Sequence, residues 1–263
     1  MAETAAANAG TALDGHDVVR LFDQERLHDR LEAEALPDWA VEHYEEFREA
    51  MLGDRDGAPF PCYFGVDSEK KGWALYTFVP RFDDESLARY AEVVQAYLAT
   101  QEHHAPRTSL VSFFRNVDGE QSEVAWHDRY WQVLQFMHDH DPEPWPDEFP
   151  SDPDHHQFEF CFAGEPLFPT ARIPGMDRRR SRHNPYGLEI TVQPRSVFDG
   201  VAGDTEAGQR AREVIHDRLE DYDEVCPHAH LGDWEDDESH EWKQYVLPND
   251  ERHLAECPLE VDA

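Results

Sequence analysis

Apolar positions recur three and four residues apart in several long segments of the chain, the spacing of helices that bury one face. Ala40, Tyr44, Phe47 and Met51 predict one helix after Pro37, with Asp38 placed to cap it and Gly53 to end it. Leu87, Tyr90, Ala91, Val94 and Tyr97 predict another over about 84–100, and Trp126, Tyr130, Val133, Leu134 and Met137 a third over about 123–139. Residues 17–36, with Val18, Leu21 and Phe22 on one side, and residues 205–222, with Ala211, Val214, Ile215, Leu219 and Tyr222 inward, complete the helical set.

Between these segments lie short runs with a period of two or with continuous apolar character, the mark of strands. They fall at 59–65, 73–79, 108–114, 157–163, 167–172, 187–193 and 243–247, with a polar turn at 67–72. The run at 157–163 alternates, setting Phe158, Phe160 and Phe162 against Glu159 and Cys161. Five prolines between Pro142 and Pro153 forbid helix there. Helices and strands intermix without regular βαβ units or repeats. This pattern predicts an α+β fold, one domain over 15–263 with a mostly antiparallel central sheet flanked by helices. Residues 1–14 read as a disordered acidic tail without the basic start and apolar centre of a signal peptide.

Charge changes the picture. Asp and Glu number 57 against 23 Lys and Arg, a formal net charge of −34, and the lysines are Lys70, Lys71 and Lys243 alone. So negative a chain excludes a general nucleic-acid binder and an anionic-membrane binder, which need positive surfaces. At ~1 M salt the Debye length is ~3 Å and self-repulsion largely vanishes; scarce lysine with abundant carboxylate points to a halophile. No apolar run is long enough for a membrane span, and a cytoplasmic location is expected. The four cysteines form no CxxC pair, so neither a zinc knuckle nor a disulfide framework is indicated.

Three features carry candidate chemistry. Between Trp126 and Phe168 aromatic residues are about twice as dense as the 12% of the whole chain, which marks either the domain core or an apolar slot for a flat ligand. Arg172, Arg178, Arg179, Arg180 and Arg182 form a basic island, with Arg195 beyond the next strand. They either pair with the surrounding acids or bind a carboxylate or phosphate ligand. Sixteen histidines include His155 and His228 near the aromatic region, and Cys62 stands in the apolar run Phe60-Pro61-Cys62-Tyr63-Phe64-Gly65. No GxGxxG, Walker loop or GxSxG motif occurs, so the common dinucleotide, NTP and serine-hydrolase readings lack support.

Several motifs resemble the YqcI/YcgG family. They are Phe60-Pro61-Cys62, Trp131-Gln132-Val133-Leu134-Gln135, Pro144-Trp145-Pro146, the segment from Phe158 to Phe168, Arg180-Ser181-Arg182, Gln193-Pro194-Arg195, and Glu241-Trp242-Lys243-Gln244-Tyr245. The match runs in order from about residue 37 to 259. Relatives commonly carry His at the positions of His155 and His228, and often a His where this chain has Met176.

The resemblance implies a haem-dependent N-hydroxylase acting on a guanidino or amino nitrogen of an arginine-like small molecule, with an electron donor as partner. Haem requires an apolar slot, an axial ligand and cations for two propionates. Trp145 and Phe160 are the expected walls and Arg178, Arg180, Arg182 and Arg195 the cationic partners. His228, then His155, then Cys62 are the candidate iron ligands, and Glu159 and Glu165 the carboxylates that bind a guanidinium. Two other readings stay open: a non-catalytic module that binds an anionic small molecule through the 172–182 island, and a non-haem metal enzyme.

Overall fold

The computed structural model describes residues 15–55, 57–103, 105–201, 205–232, 239–252 and 254–261. The expected acidic tail, 1–14, lies outside them. Six helices and seven strands follow in the order α1 (Gln24–Glu32), α2 (Asp38–Leu52), β1 (Asp54–Arg55), β2 (Ala58–Pro59), α3 (Tyr63–Lys71), β3 (Ala74–Val79), α4 (Asp84–Thr100), β4 (Ser109–Arg115), α5 (Glu123–Asp139), β5 (Phe160–Phe162), β6 (Glu165–Arg172), β7 (Gly187–Pro194) and α6 (Glu206–Tyr222). Strands β1 and β2 pair as a small hairpin, and the others form one sheet in the order β3-β4-β7-β6-β5. All of its pairings are antiparallel except β3 with β4. The fold is α+β, as the periodicity predicts, and among the described residues no helix is long and apolar enough to cross a membrane.

Helices α4, α5 and α6 start where short polar side chains occupy the first orphan amides. Asp83 accepts from Ser86 N, Ser122 from Ala125 N and Thr205 from Gly208 N. Asp38, expected as a cap, is instead the first residue of α2, behind a Pro37 that makes no side-chain cap bond. Strands β5 and β6 join through Ala163-Gly164, both at positive φ (52° and 76°), the backbone that a two-residue hairpin turn demands.

Three expectations are corrected. Residues 17–36 do not form one helix: a 3₁₀ turn covers Gly15–Val18 and α1 covers Gln24–Glu32, because Phe22 exchanges two backbone hydrogen bonds with Tyr76 at the sheet edge (2.8 and 2.9 Å). The strand expected at 59–65 and the turn at 67–72 are largely replaced by α3, which buries Val66 and Glu69 at helical spacing and ends on Gly72 with φ 67°. Residues 243–247 are not a strand; a 3₁₀ turn spans Glu241–Gln244, and the Tyr245 carbonyl takes one hydrogen bond from Ala171 N (2.7 Å). The single parallel pair is joined by one crossover, β3–α4–β4, and the other pairings of the sheet are antiparallel, as a pattern without regular βαβ units predicts.

Alternation along the strands divides the interior in two. Leu75, Val79, Leu110, Phe114, Leu188, Ile190, Leu167, Phe160 and Phe162 pack under α4 and α5. On the opposite face Ala74, Tyr76, Phe78, Val111 and Phe113 pack against α1, α2 and α3. That second cover stops short of β7 and β6, where Glu189, Thr191, Gln193, Thr170 and Arg172 line an open space instead of a core.

Candidate functional site

The aromatic segment does not form a slot. Phe158, Phe160 and Phe162 are each at most 1% exposed and sit in the same cluster as Trp126, Tyr130 and Trp131. Trp145 stacks on Phe158 (ring centroids 5.5 Å apart) and donates from Nε1 to the Phe149 carbonyl at 2.9 Å. Met176, where relatives often carry His, is fully buried in this cluster too. The space for a ligand lies on the other side of the sheet.

That space is a cavity of about 320 Å³, at the lower end of the range that small-molecule sites occupy. Strands β6 and β7 supply its polar floor, and Phe47, Phe60, Phe64, Phe198, Ile215 and Leu219 much of its apolar wall. Among the expected site residues, Cys62, Arg182 and Arg195 line it.

Cys62 stands at the N-terminal end of α3 as a free thiol. Burial pushes its pKa up, while the backbone amides of Gly65 and Phe64 and the guanidiniums of Arg182 and Arg218 favour the thiolate. Cys62 makes no side-chain cap hydrogen bond, and it lines the cavity wall.

The arginine island splits. Arg182 faces the cavity, and its guanidinium makes no hydrogen bond or ion pair among the described residues. Burial, then the neighbouring Arg179, pushes its pKa down to about 10. Arg172 also lines the cavity; it donates to Glu189 at 2.8 Å, and its Nε has no partner among the described residues. Arg179 is spent on structure, donating to the carbonyls of Pro248 (2.8 Å) and Asp250 (2.9 Å). Arg178 is exposed and Arg180 lies against Tyr222, 6.0 Å from its ring centroid; neither reaches the cavity wall.

Arg195 closes one end. Its Nη1 donates to Glu159 and lies 3.3 Å from Glu241 Oε2. Burial, against the opposing Arg195, pushes Glu159 up to about 7, and burial followed by the Glu159 charge holds Glu241 well above the usual carboxylate range. Glu241 is part of the cavity wall; Glu159 stands behind Arg195. Glu165 is exposed at the β5–β6 turn, outside the cavity.

Neither expected histidine ligand faces the cavity. His228 is buried with both ring nitrogens engaged, Nε2 with the Arg252 carbonyl (2.9 Å) and Nδ1 with His230 N (3.2 Å). His155 is exposed, stacks on His156 and accepts from Gln157 N. A histidine not singled out by the sequence, His216 on α6, lines the cavity, as do Glu189 and Glu241. Glu241 opens the motif Glu241-Trp242-Lys243-Gln244-Tyr245, which was a usable signal; nothing marked His216 or Glu189 out from the other histidines and acids. Among the described residues no three His, Cys, Asp or Glu side chains are grouped as metal ligands, so the non-haem metal reading gains no ligand set.

A mixed sheet with one open face, over which a thiol, arginines and helix α6 line a cavity, defines this α+β protein. The YqcI/YcgG family model matches residues 47–260, and the chain belongs to that family. It is 34% identical over 231 residues to the uncharacterized protein YcgG of Bacillus subtilis, covering 86% of this chain and 90% of that one. YqcI of the same organism is equally similar (34% over 231 residues, 86% and 89%). A candidate N(omega)-hydroxy-L-arginine synthase of Streptomyces lavendulae, DcsA, is 30% identical over 246 residues, 91% of this chain and 89% of that one. No solved structure matches the chain.

Proposed function

We propose that this chain is a haem-dependent N-hydroxylase of a guanidino or amino nitrogen in an arginine-like small molecule. The name of the Streptomyces relative supports the reaction class. The observation that carries the reading is the cavity itself, where the Cys62 thiol and the Arg182 guanidinium, which has no side-chain partner among the described residues, line the wall with apolar side chains. The donor set suits haem: Cys62 would supply an iron ligand of the thiolate type, and Arg182 and Arg172 would supply cations for its carboxylates. The ligand role passes to Cys62 because the imidazoles of His228 and His155 do not line the cavity.

Bound there, haem would supply the O₂ activation that side chains lack. The balanced reaction takes one N–H group, O₂, two electrons and two protons to N–OH and water, so an external electron donor belongs to the proposal. The chain's own residues bind and orient. Glu241, with Glu159 behind it, presents carboxylate to the guanidinium; Phe60, Phe198 and Leu219 exclude water from the reacting nitrogen. All four cysteines are free thiols, which suits a reducing cytoplasmic compartment.

The test is the visible spectrum of the chain purified with haem supplied. A Soret band that moves when CO meets the reduced protein, together with N-hydroxylated product from L-arginine, is expected. Cys62→Ala removes or displaces that band, whereas His216→Ala leaves its position unchanged. A colourless chain that binds carboxylates tightly would replace this reading with that of an anion-binding module, for which Arg182 would be the anchor.

A further inference from the structure

At the Arg195 end of the cavity two carboxyl groups share one guanidinium. Arg195 Nη1 bridges Glu159 and Glu241, whose side chains are 1% and 8% exposed. Among the described residues Arg195 is the cation that acts on both acids. Glu159 Oε2 is buried and has no hydrogen-bond partner among the described residues. Two carboxylates against one guanidinium leave a negative charge uncompensated in a place where water does not screen it, a costly state. The pair therefore holds either a proton or a second cation, and the orphaned Glu159 oxygen marks where one of them sits. Because Glu241 and Arg195 form the cavity wall, a ligand cation can reach the pair.

We infer that Glu159 and Glu241 form a cation-for-proton exchange site, in which the guanidinium or ammonium group of a cavity ligand replaces the proton that the two carboxyls share. The O–H bond breaks, the proton passes to solvent, and the ligand's charge takes its place; nothing is oxidised or reduced. The other titratable groups facing the pair cannot absorb that proton. Tyr245 donates to Glu241 Oε1 (3.3 Å) and is itself held protonated by burial and by both acids. The Cys161 thiol is likewise held protonated by burial and then by Glu159. The inference rests on the guanidino reading above, which it deepens by making substrate affinity depend on pH.

The experiment is calorimetric titration of the full chain, as purified and after haem loading, with L-arginine as the probe. Titrations at about pH 6 and about pH 8 are each run in two buffers of different ionisation enthalpy. Below the titration of the pair, one proton released per arginine is expected, with affinity rising about tenfold per pH unit. Glu241→Gln, which leaves one carboxylate for one guanidinium, removes both the proton release and the pH slope. L-Citrulline, whose ureido group carries no charge in place of the guanidinium, binds without releasing a proton. Arginine binding at about pH 6 with no buffer-dependent heat in the unsubstituted chain overturns the exchange while leaving the guanidino reading standing. Absence of arginine binding in either form of the chain overturns both, and the Soret band and product assay report separately on the oxygenase.

Discussion

His43 shows how a single buried side chain ties stability to pH. It is 1% exposed on α2, beside Phe113 and within reach of the Asn184 amide (3.5 Å). Burial, then the Arg172 charge, pushes its pKa down from 6.5 to about 3. The unfolded chain protonates this imidazole as pH falls below 6.5 while the folded chain does not, so stability is lost from there toward pH 3. At about pH 5 the loss from this residue is about 2 kcal/mol. Urea denaturation at about pH 7 and about pH 5 checks it: His43→Gln shows a correspondingly smaller acid loss than the unsubstituted chain. Site residues were legible to unequal degrees at this scale. Cys62 and Arg182 were visible because a thiol in an apolar run and five arginines within eleven residues stand out. Glu241 was marked by its motif, but its role was not legible among 57 acids, since only burial distinguishes a carboxyl under strain from one in solvent.

Elements with a full amphipathic stripe and a cap were read almost to the residue: α4 spans Asp84–Thr100 and α5 Glu123–Asp139. Helix α3 was missed because the run Tyr63, Phe64, Gly65, Val66 has no period long enough to tell strand from helix, and tertiary context decided it. The C-terminal Tyr245, Val246 and Leu247 mimicked a strand while serving as a plug for the interior. Aromatic density found the core under α5, but a count along the chain cannot say on which face of the sheet a residue falls. A cap on the α5 side of the sheet should therefore affect folding alone. Ser122→Ala, which removes the hydroxyl that accepts from Ala125 N at 3.2 Å, is expected to cost about 1 kcal/mol. Thermal melts would show that cost, and ligand binding in the cavity would be unchanged.

For the whole molecule the dominant quantity is the charge of −34. Self-repulsion opposes the compact state, and exposed ion pairs such as Arg210–Glu206 and Lys71–Asp67 offset little of it. Raising KCl from ~0.2 M to ~2 M shortens the Debye length to a few ångströms, so the midpoint of thermal unfolding is expected to rise with salt. A midpoint that stays flat or falls over that range would count against adaptation to high salt.

The alternation of β7 has an evolutionary consequence. Leu188, Ile190 and Val192 anchor the layer beneath α4 and α5, whereas Glu189, Thr191 and Gln193 look into the cavity. The sheet is thus a partition wall: one side can be redecorated for a new ligand while the masonry on the other stays in place. Members of such a lineage are free to drift apart in what they bind while keeping the same scaffold, and the odd-numbered positions of this strand are where that divergence should be sought first.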